Sequence, residues 1–525
     1  MKSGGKVRMF RGLRMGLVGG ALLTLPLIAV APTGADAETV APRPSVIPAF
    51  QQWSPSTGGF ELRSDAEIAI EPGDEAVLER TAQILADDLG TATGHTPDVR
   101  VGAPRTGDIE LALDPTSGGT GGYRLEIGPT LRVEGNQDEG VFYGTRSVVQ
   151  LLRQDTSIPA GTAADWPRYP ERGFMIDLGR HFFSPAFLRT QIREMSYLKL
   201  NLLHLHLSDD LGFRIESDRH PEIVSPEHLT KAEVTSLVEY AADRHITVVP
   251  EIDMPGHMTS MLAAHPEHQL ANALGSKEPS RLDVASPAAR AYALDILEEY
   301  LPLFPGRYWH IGGDEYMPSA EYLLHPKLAK YAKAQWGKTA NGKDTFLDFL
   351  NSVNAFLRSH GKVSRVWNDD LGGGRTVALD PSVVVEWWTD FSPLSDPFPK
   401  PPQYYLDRGH QVLNNGWWPT YDATAGLPPP DMGEAYVEWD VHNFYGTLYL
   451  NSTIQLPPHP VSPDEPDNLG AKLALWMDGR TGTDAEIAAG VLPRLRVIAQ
   501  KTWESPLPGD YATFLQIAAA VGQAP

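Results

Sequence analysis

Arg172-Gly173-Phe174-Met175-Ile176-Asp177-Leu178-Gly179-Arg180-His181 is the stretch on which the fold turns. A short apolar run, 173–178, ends on Gly-Arg-His, and apolar residues at helical spacing follow at 185–198. The unit then recurs. Further strand candidates stand at 201–207, 247–252, 308–311, 363–367, 383–387, 411–413 and 472–476, with helical stretches at 231–244, 288–301 and 345–360. Short apolar strands alternating with helices are the pattern of βαβ units and a parallel sheet. Eight of them predict a (β/α)8 barrel of the α/β class.

The polar residues cluster where these strands end. Arg180 and His181 close the first, Ser208-Asp209-Asp210 the second, Asp253 and His257 follow the third, and Asp314-Glu315 the fourth. Trp367-Asn368-Asp369-Asp370, Trp387-Trp388 and Trp476-Met477-Asp478 close others. In a barrel these ends meet on one face, where active sites are built. Carboxylates, an arginine and tryptophans on one rim suit a sugar, whose ring faces stack on aromatics and whose hydroxyls bond acids and Arg.

Upstream of the barrel the pattern is a small α+β domain, 38–166, with the barrel at 167–525. Residues 64–70 and 108–113 read as strands, and 76–89 and 140–152 as helices. The runs 123–127 and 131–135 flank Gly128-Pro129 as a hairpin. Residues 38–50, rich in Pro, Ala and Val, read as a linker. Residues 1–37 read as a signal peptide: Lys2, Lys6, Arg8, Arg11 and Arg14, an apolar run at 16–30, then Ala35-Asp36-Ala37. The expectation is a secreted, extracellular protein. The apolar run is short of the roughly 20 residues a membrane span needs.

The chain carries a net charge of −22, a field that repels nucleic acid and anionic membranes. It has no cysteine, which excludes disulfides and thiolate metal sites. The Pro-rich stretch 392–402 and the segment 427–458 read as long loops over the barrel, and long loops of this kind are often lids.

His310-Ile311-Gly312-Gly313-Asp314-Glu315 is the sharpest motif. Ordinary retaining glycosidases set two carboxylates roughly 5 Å apart, one of which attacks the sugar. Neighbours on a strand point to opposite sides, so Asp314 and Glu315 are not expected to be that pair. A substrate-assisted reaction resolves this: Glu315 protonates the leaving oxygen, and Asp314 holds the substrate's 2-acetamido group.

With Arg180-His181-Phe182-Phe183, His204-Leu205-His206-Leu207-Ser208-Asp209-Asp210 and Glu251-Ile252-Asp253-Met254-Pro255-Gly256-His257, the motif resembles glycoside hydrolase family 20, the β-N-acetylhexosaminidases. The likeness runs from about residue 46 to near 505. It implies an α+β domain packed on a (β/α)8 barrel and a retaining reaction through an oxazolinium intermediate, without a cofactor or metal. Family 20 is one of the recognised exceptions to the two-carboxylate rule. The resemblance implies that Arg180 binds the sugar 3- and 4-hydroxyls, and that Asp209, Asp253 and His257 orient the acids. It makes Trp367, Trp388 and Trp476 a box around the acetamide methyl and sugar face. Tyr421 is the hydroxyl for the acetamido oxygen. The implied partner is an N-acetylhexosamine-containing glycan or chitooligosaccharide, with GlcNAc and GalNAc both open.

Two positions depart from the family. Asp478 stands where many members have Glu, and Ala423 where many have an acid. These leave open a relative of the lacto-N-biosidases, which release a disaccharide. Two other classes compete. His204-Leu205-His206 with Asp253, His257 and His310 could be an amidohydrolase-type metal site, but His-x-His is then expected on the first strand, with a bridging lysine. A non-catalytic sugar-binding barrel is expected to lack Asp314 or Glu315. The D-x-D-x-E run of the other substrate-assisted chitinases is absent.

Overall fold

A computed structural model describes residues 43–117, 119–392, 394–396, 398–423, 430–447 and 457–525. The signal-peptide expectation at 1–37 and residues 427–429 and 448–456 of the expected loop lie outside the described residues. The described part of that segment is not all loop but carries the helix Met432–Glu438 and the short strand Asn443–Phe444.

Eight parallel strands form the barrel: Glu171–Asp177, Leu202–His206, Thr247–Glu251, Tyr308–His310, Val363–Trp367, Val384–Trp387, Val412–Asn414 and Asn468–Leu475. Each pairs with the next. The eighth pairs with both the seventh (Val412↔Asn468) and the first (Gly470↔Glu171), which closes the ring. All eight expected strands are present, displaced by a few residues at their ends. Helices Pro185–Tyr197, Lys231–Ala242, Pro287–Tyr300 and Gly342–Ser359 stand where their apolar periodicity placed them. Their starts are set by side chains that satisfy the first free backbone N–H groups. Ser184 accepts from Phe187 N, and Thr230 with Glu233 and Asn341 with Asp344 form reciprocal capping boxes.

The barrel interior is more polar than short apolar strands suggest. Arg365 bridges Glu386 (2.5 Å) and Glu171 (2.8 Å). Lys472 contacts Glu386 and lies 2.6 Å from His204 Nδ1. Glu251 takes His204 (2.9 Å), His310 (2.9 Å) and the Trp367 indole N–H (2.9 Å). Buried charges persist only when paired in this way. His204 therefore faces a fixed ammonium, while His206 turns instead to Asp177 (2.9 Å).

The N-terminal domain is a seven-stranded mixed sheet with helices Glu75–Thr93 and Asp138–Gln154. The hairpin Tyr123–Ile127 and Leu131–Gly135 pairs antiparallel, Tyr123 opposite Gly135. Three strands escaped the sequence reading, Ser157–Asp165 among them. Gln52–Glu61 carries Pro55 and two glycines and is mostly exposed, and Asp98–Val101 is a short edge. The linker expectation for 38–50 is corrected over its last residues. Val46, Ile47, Ala49 and Phe50 are buried, and Gln150 clamps Ile47 through its backbone N–H and carbonyl. The two domains share a buried junction at Asp165, which receives Lys199 (3.1 Å), Tyr123 (2.5 Å) and the Trp503 indole (2.8 Å).

Candidate active site

The site grows from the turn after the fourth strand. His310 is its last residue, and Gly312 and Gly313 follow with φ of 85° and 88°. A Cβ at Gly312 would lie 1.7 Å from Asp253 Oδ1, so only glycine fits there. Glu315 is itself left-handed, at φ 47°. Backbone in this region for a non-glycine residue is held by its surroundings, and such residues gather at functional sites. Here the Glu315 N–H donates to Asp369 Oδ2 at 3.1 Å.

This turn overturns the expectation that Asp314 and Glu315 point to opposite sides. They stand beyond the strand, where the alternation no longer applies. Both carboxylates line one cavity, and both face the same imidazole: His257 Nε2 is 3.6 Å from Asp314 and 3.4 Å from Glu315. His257, also left-handed, turns its Nδ1 to Asp210 (3.5 Å) and Asp209 (3.8 Å). Burial lowers its basicity, but contacts to Asp210 and Glu315 and the charges of Asp314 and Asp253 outweigh that and hold it well above the usual histidine range. Burial and the adjacent Asp253 charge push Asp314 well above the usual carboxylate range, against the pull of His257. Asp314 Oδ1 has no hydrogen-bond partner within the protein.

Arg180 forms one wall. Its guanidinium reaches Asp177 (3.2 Å), Asp209 (2.9 Å) and Asp478 (3.1 Å), and lies 5.0 Å above the Trp476 ring. Asp177, hidden inside the first strand, is a member that sequence reasoning missed. It also takes His206 (2.9 Å) and the Met477 N–H (3.1 Å). Burial works against its charge, but His206 and Arg180 hold it at about 2. Asp209 goes the other way: burial raises it to about 6 although Arg180 is beside it.

The opposite wall is aromatic. Tyr421 stacks on Trp388 (5.6 Å, 17°) and Trp417 (5.0 Å, 24°) and tilts against Trp476 (5.7 Å). Burial and the Asp314 and Glu315 charges push its phenol well above the usual value, so it remains a donor. Trp367 lies beneath Trp476 (5.9 Å), its indole N–H spent on Glu251. Trp417 and Leu394 line the cavity and were not anticipated, since neither sits at a strand end. Asp369, set on this rim by its strand end but given no role from the sequence, is a further member. It joins Glu315 N to the Trp388 indole (3.1 Å) and Ser395 Oγ (2.7 Å), and burial with Asp370 and Glu315 nearby raises it to about 7.

The described residues enclose about 270 Å3 between Arg180, Asp314, Glu315, Trp388, Tyr421 and Trp476, small for a ligand site. Every residue singled out from the sequence is in or beside it. Asp209, Asp253 and His257 stand behind the carboxylates, Trp367 is one layer below, and Asp478 is at the rim. Ala423 also lines it, whereas the neighbouring Asp422 turns away to Arg480 (3.2 Å) and Arg494 (3.1 Å) and does not replace the missing acid.

Comparison with known proteins bears on this geometry. The model of the glycosyl hydrolase family 20 catalytic domain matches residues 169–506, and that of the family's domain 2 matches 43–166. A lacto-N-biosidase of Bifidobacterium bifidum is 30% identical over 504 residues, 94% of this chain and 43% of that protein. A beta-hexosaminidase of Porphyromonas gingivalis is 29% identical over 381 residues, 66% of this chain and 47% of that protein. The chain thus spans less than half the length of either relative. A mutant Streptomyces plicatus beta-hexosaminidase, solved with its product GlcNAc, superimposes with a TM-score of 0.71 at 27% identity, over 92% of this chain and 94% of that one.

Proposed function

The chain belongs to glycosyl hydrolase family 20, and from that premise we propose that it is a retaining exo-glycosidase. It removes terminal β-linked N-acetylhexosamine, GlcNAc or GalNAc, from glycans or chitooligosaccharides. The observation that carries the reading is the pair Asp314 and Glu315 facing one small cavity whose far wall is Trp388, Tyr421 and Trp476.

The geometry supports these roles. Glu315 gives its proton to the glycosidic oxygen as the bond to C1 breaks. The substrate's acetamido oxygen attacks C1 and closes an oxazolinium ring. Asp314, with a carboxylate oxygen free of protein partners, accepts from the acetamide N–H and balances the positive charge that develops there. Tyr421 donates to the acetamido oxygen and, with the tryptophans, holds the methyl. Glu315 then takes a proton from water as that water opens the ring at C1, so the β-configuration is kept. His257 sets the charge balance between the two carboxylates. Arg180 binds the 3- and 4-hydroxyls with the donor capacity its carboxylates leave.

One observation favours a second reading. Ala423 and the retracted Asp422 leave the wall without the acid expected against the non-reducing sugar, and the Bifidobacterium bifidum lacto-N-biosidase aligns along 94% of the chain. A disaccharide-releasing enzyme needs room there. p-Nitrophenyl β-GlcNAc, β-GalNAc and β-lacto-N-bioside assayed side by side separate the two. Turnover of a monosaccharide glycoside supports the first reading, and exclusive turnover of the lacto-N-bioside replaces it with the second. Activity on none of them refutes both. The basic and apolar pattern of residues 2–30 supports export as part of the same proposal, and N-terminal sequencing of protein recovered from the medium tests it.

A further inference from the structure

Among residues that do not line the sugar cavity, the loops after the second and third strands bring two histidines onto one carboxylate. His220 Nδ1 is 3.3 Å and His265 Nε2 is 2.8 Å from the same oxygen, Oε1 of Glu222. Tetrahedral ligand atoms about 2.0–2.1 Å from a zinc ion lie about 3.3 Å from one another. Both histidine nitrogens already stand near that separation from the shared oxygen, and all three donor atoms lie within 4.8 Å of one another. The two remaining ring nitrogens are also engaged. His220 Nε2 faces Asp295 at 2.8 Å, and His265 Nδ1 faces Glu267 at 3.3 Å. A carboxylate on the far nitrogen is what a metal-bound histidine ordinarily has: it fixes the tautomer and makes the ligand more basic. Both rings are braced by Tyr292, at 5.2 and 4.8 Å. Their side chains are only 14% and 22% exposed, so little rotamer freedom remains to be lost on binding.

We propose that His220, Glu222 and His265 form a binding site for a divalent transition-metal ion, zinc in the first place, that clips together the loops after the second and third barrel strands. Two imidazoles and a carboxylate with a fourth position open to water suit zinc better than calcium or magnesium, which take oxygen ligands. The third-strand loop also carries His257, but the ion's effect is on the thermal stability of the two loops and not on the binding of substrate. It is no part of the hydrolytic chemistry.

The test uses the full chain without an affinity tag, stripped with EDTA and titrated with zinc chloride by calorimetry. One ion per chain is expected, with a rise in melting temperature. His265→Ala and Glu222→Gln should each weaken binding at least about tenfold, and Asp295→Asn by about tenfold or more, while hydrolysis of a nitrophenyl glycoside stays unchanged. Glu222 is half exposed, so its variant carries the result if His265→Ala fails to fold. Absence of zinc binding, or binding unchanged in both ligand variants, overturns the proposal. So does binding that survives those changes but is lost in His257→Ala, which would put the ion in the sugar cavity.

Discussion

Glu315→Gln tests the reaction at its most exposed point. The substitution keeps the shape of the side chain and the backbone bond from residue 315 to Asp369, and the amide oxygen can still accept from His257. What is lost is the proton. Among the described residues no second acid stands in its place: the proposed reaction assigns Asp314 to the acetamido group, and Asp369 is occupied by Glu315 N, Trp388 and Ser395. General acid help is typically worth about 10²–10⁴ in rate, or about 2.7–5.4 kcal/mol of barrier. The whole of that loss is expected on a disaccharide such as chitobiose, whose leaving sugar cannot depart as an anion. A smaller loss is expected on p-nitrophenyl β-GlcNAc, which needs little protonation. The assay is kcat/KM for wild type and variant on both substrates, with melting curves to show that the fold is intact. Turnover of chitobiose within a few fold of wild type would refute the assignment of Glu315. An equal loss on both substrates would show that something other than proton donation had been removed.

Asp314→Asn should lower kcat by about 10² or more, as loss of a group aimed at developing charge does, and a plain β-glucoside should be turned over hardly at all. A covalent glycosyl–enzyme trapped on a rim carboxylate and seen as a mass increase would exclude the substrate-assisted route. Gly312→Ala meets both a positive φ and Asp253 Oδ1 at 1.7 Å. A cost of at least about 1–3 kcal/mol and a large fall in kcat are expected, and unchanged denaturation and kinetics would show that the turn is not constrained. Glu386→Gln strips Lys472 and Arg365 of a buried partner and should cost about 3–5 kcal/mol in urea denaturation; a cost under about 1 kcal/mol would mean the network re-pairs. Asp177 is held at about 2 against an ordinary 3.8. It therefore stabilises the fold fully above pH 3.8, and that contribution is lost as pH falls through 2. Asp177→Asn should flatten the melting temperature between those values, and an unchanged acid profile would refute the coupling.

The barrel was legible because each strand is short, apolar and bounded, and because its helices carry their own start signals in Ser184, Thr230 and Asn341. Boundaries moved by a few residues where pairing to a neighbour, not local pattern, decides the end. The strand at Gln52–Glu61 was invisible for the same reason. Pro55 and its two glycines argue against a strand, and only the partner Ser157–Asp165 makes one. The convergence of Arg180, Asp314, Glu315, Trp388 and Trp476 on one cavity was legible because polar and aromatic residues at strand ends can be read directly. Asp177 was hidden since a single acid within an apolar run carries no periodic signal. Trp417 and Leu394 act through contacts between loops remote in sequence, and Asp369 could be set on the rim but its contacts to Glu315 N, Trp388 and Ser395 could not.

The least legible feature is also the one that gives the site its form. Strand alternation sets Asp314 and Glu315 apart, whereas three left-handed residues in the turn bring both onto His257. That turn cannot be stable by itself. It is held from below by Glu251 and His310, from the side by the close fit of Gly312 against Asp253, and from the front by Asp369 on the Glu315 N–H. The polar ladder inside the barrel is therefore part of the same arrangement as Asp314 and Glu315. Its paired charges fix the strand ends that the turn springs from, which is why removing a charge as far down as Glu386 should be felt in turnover as well as in stability.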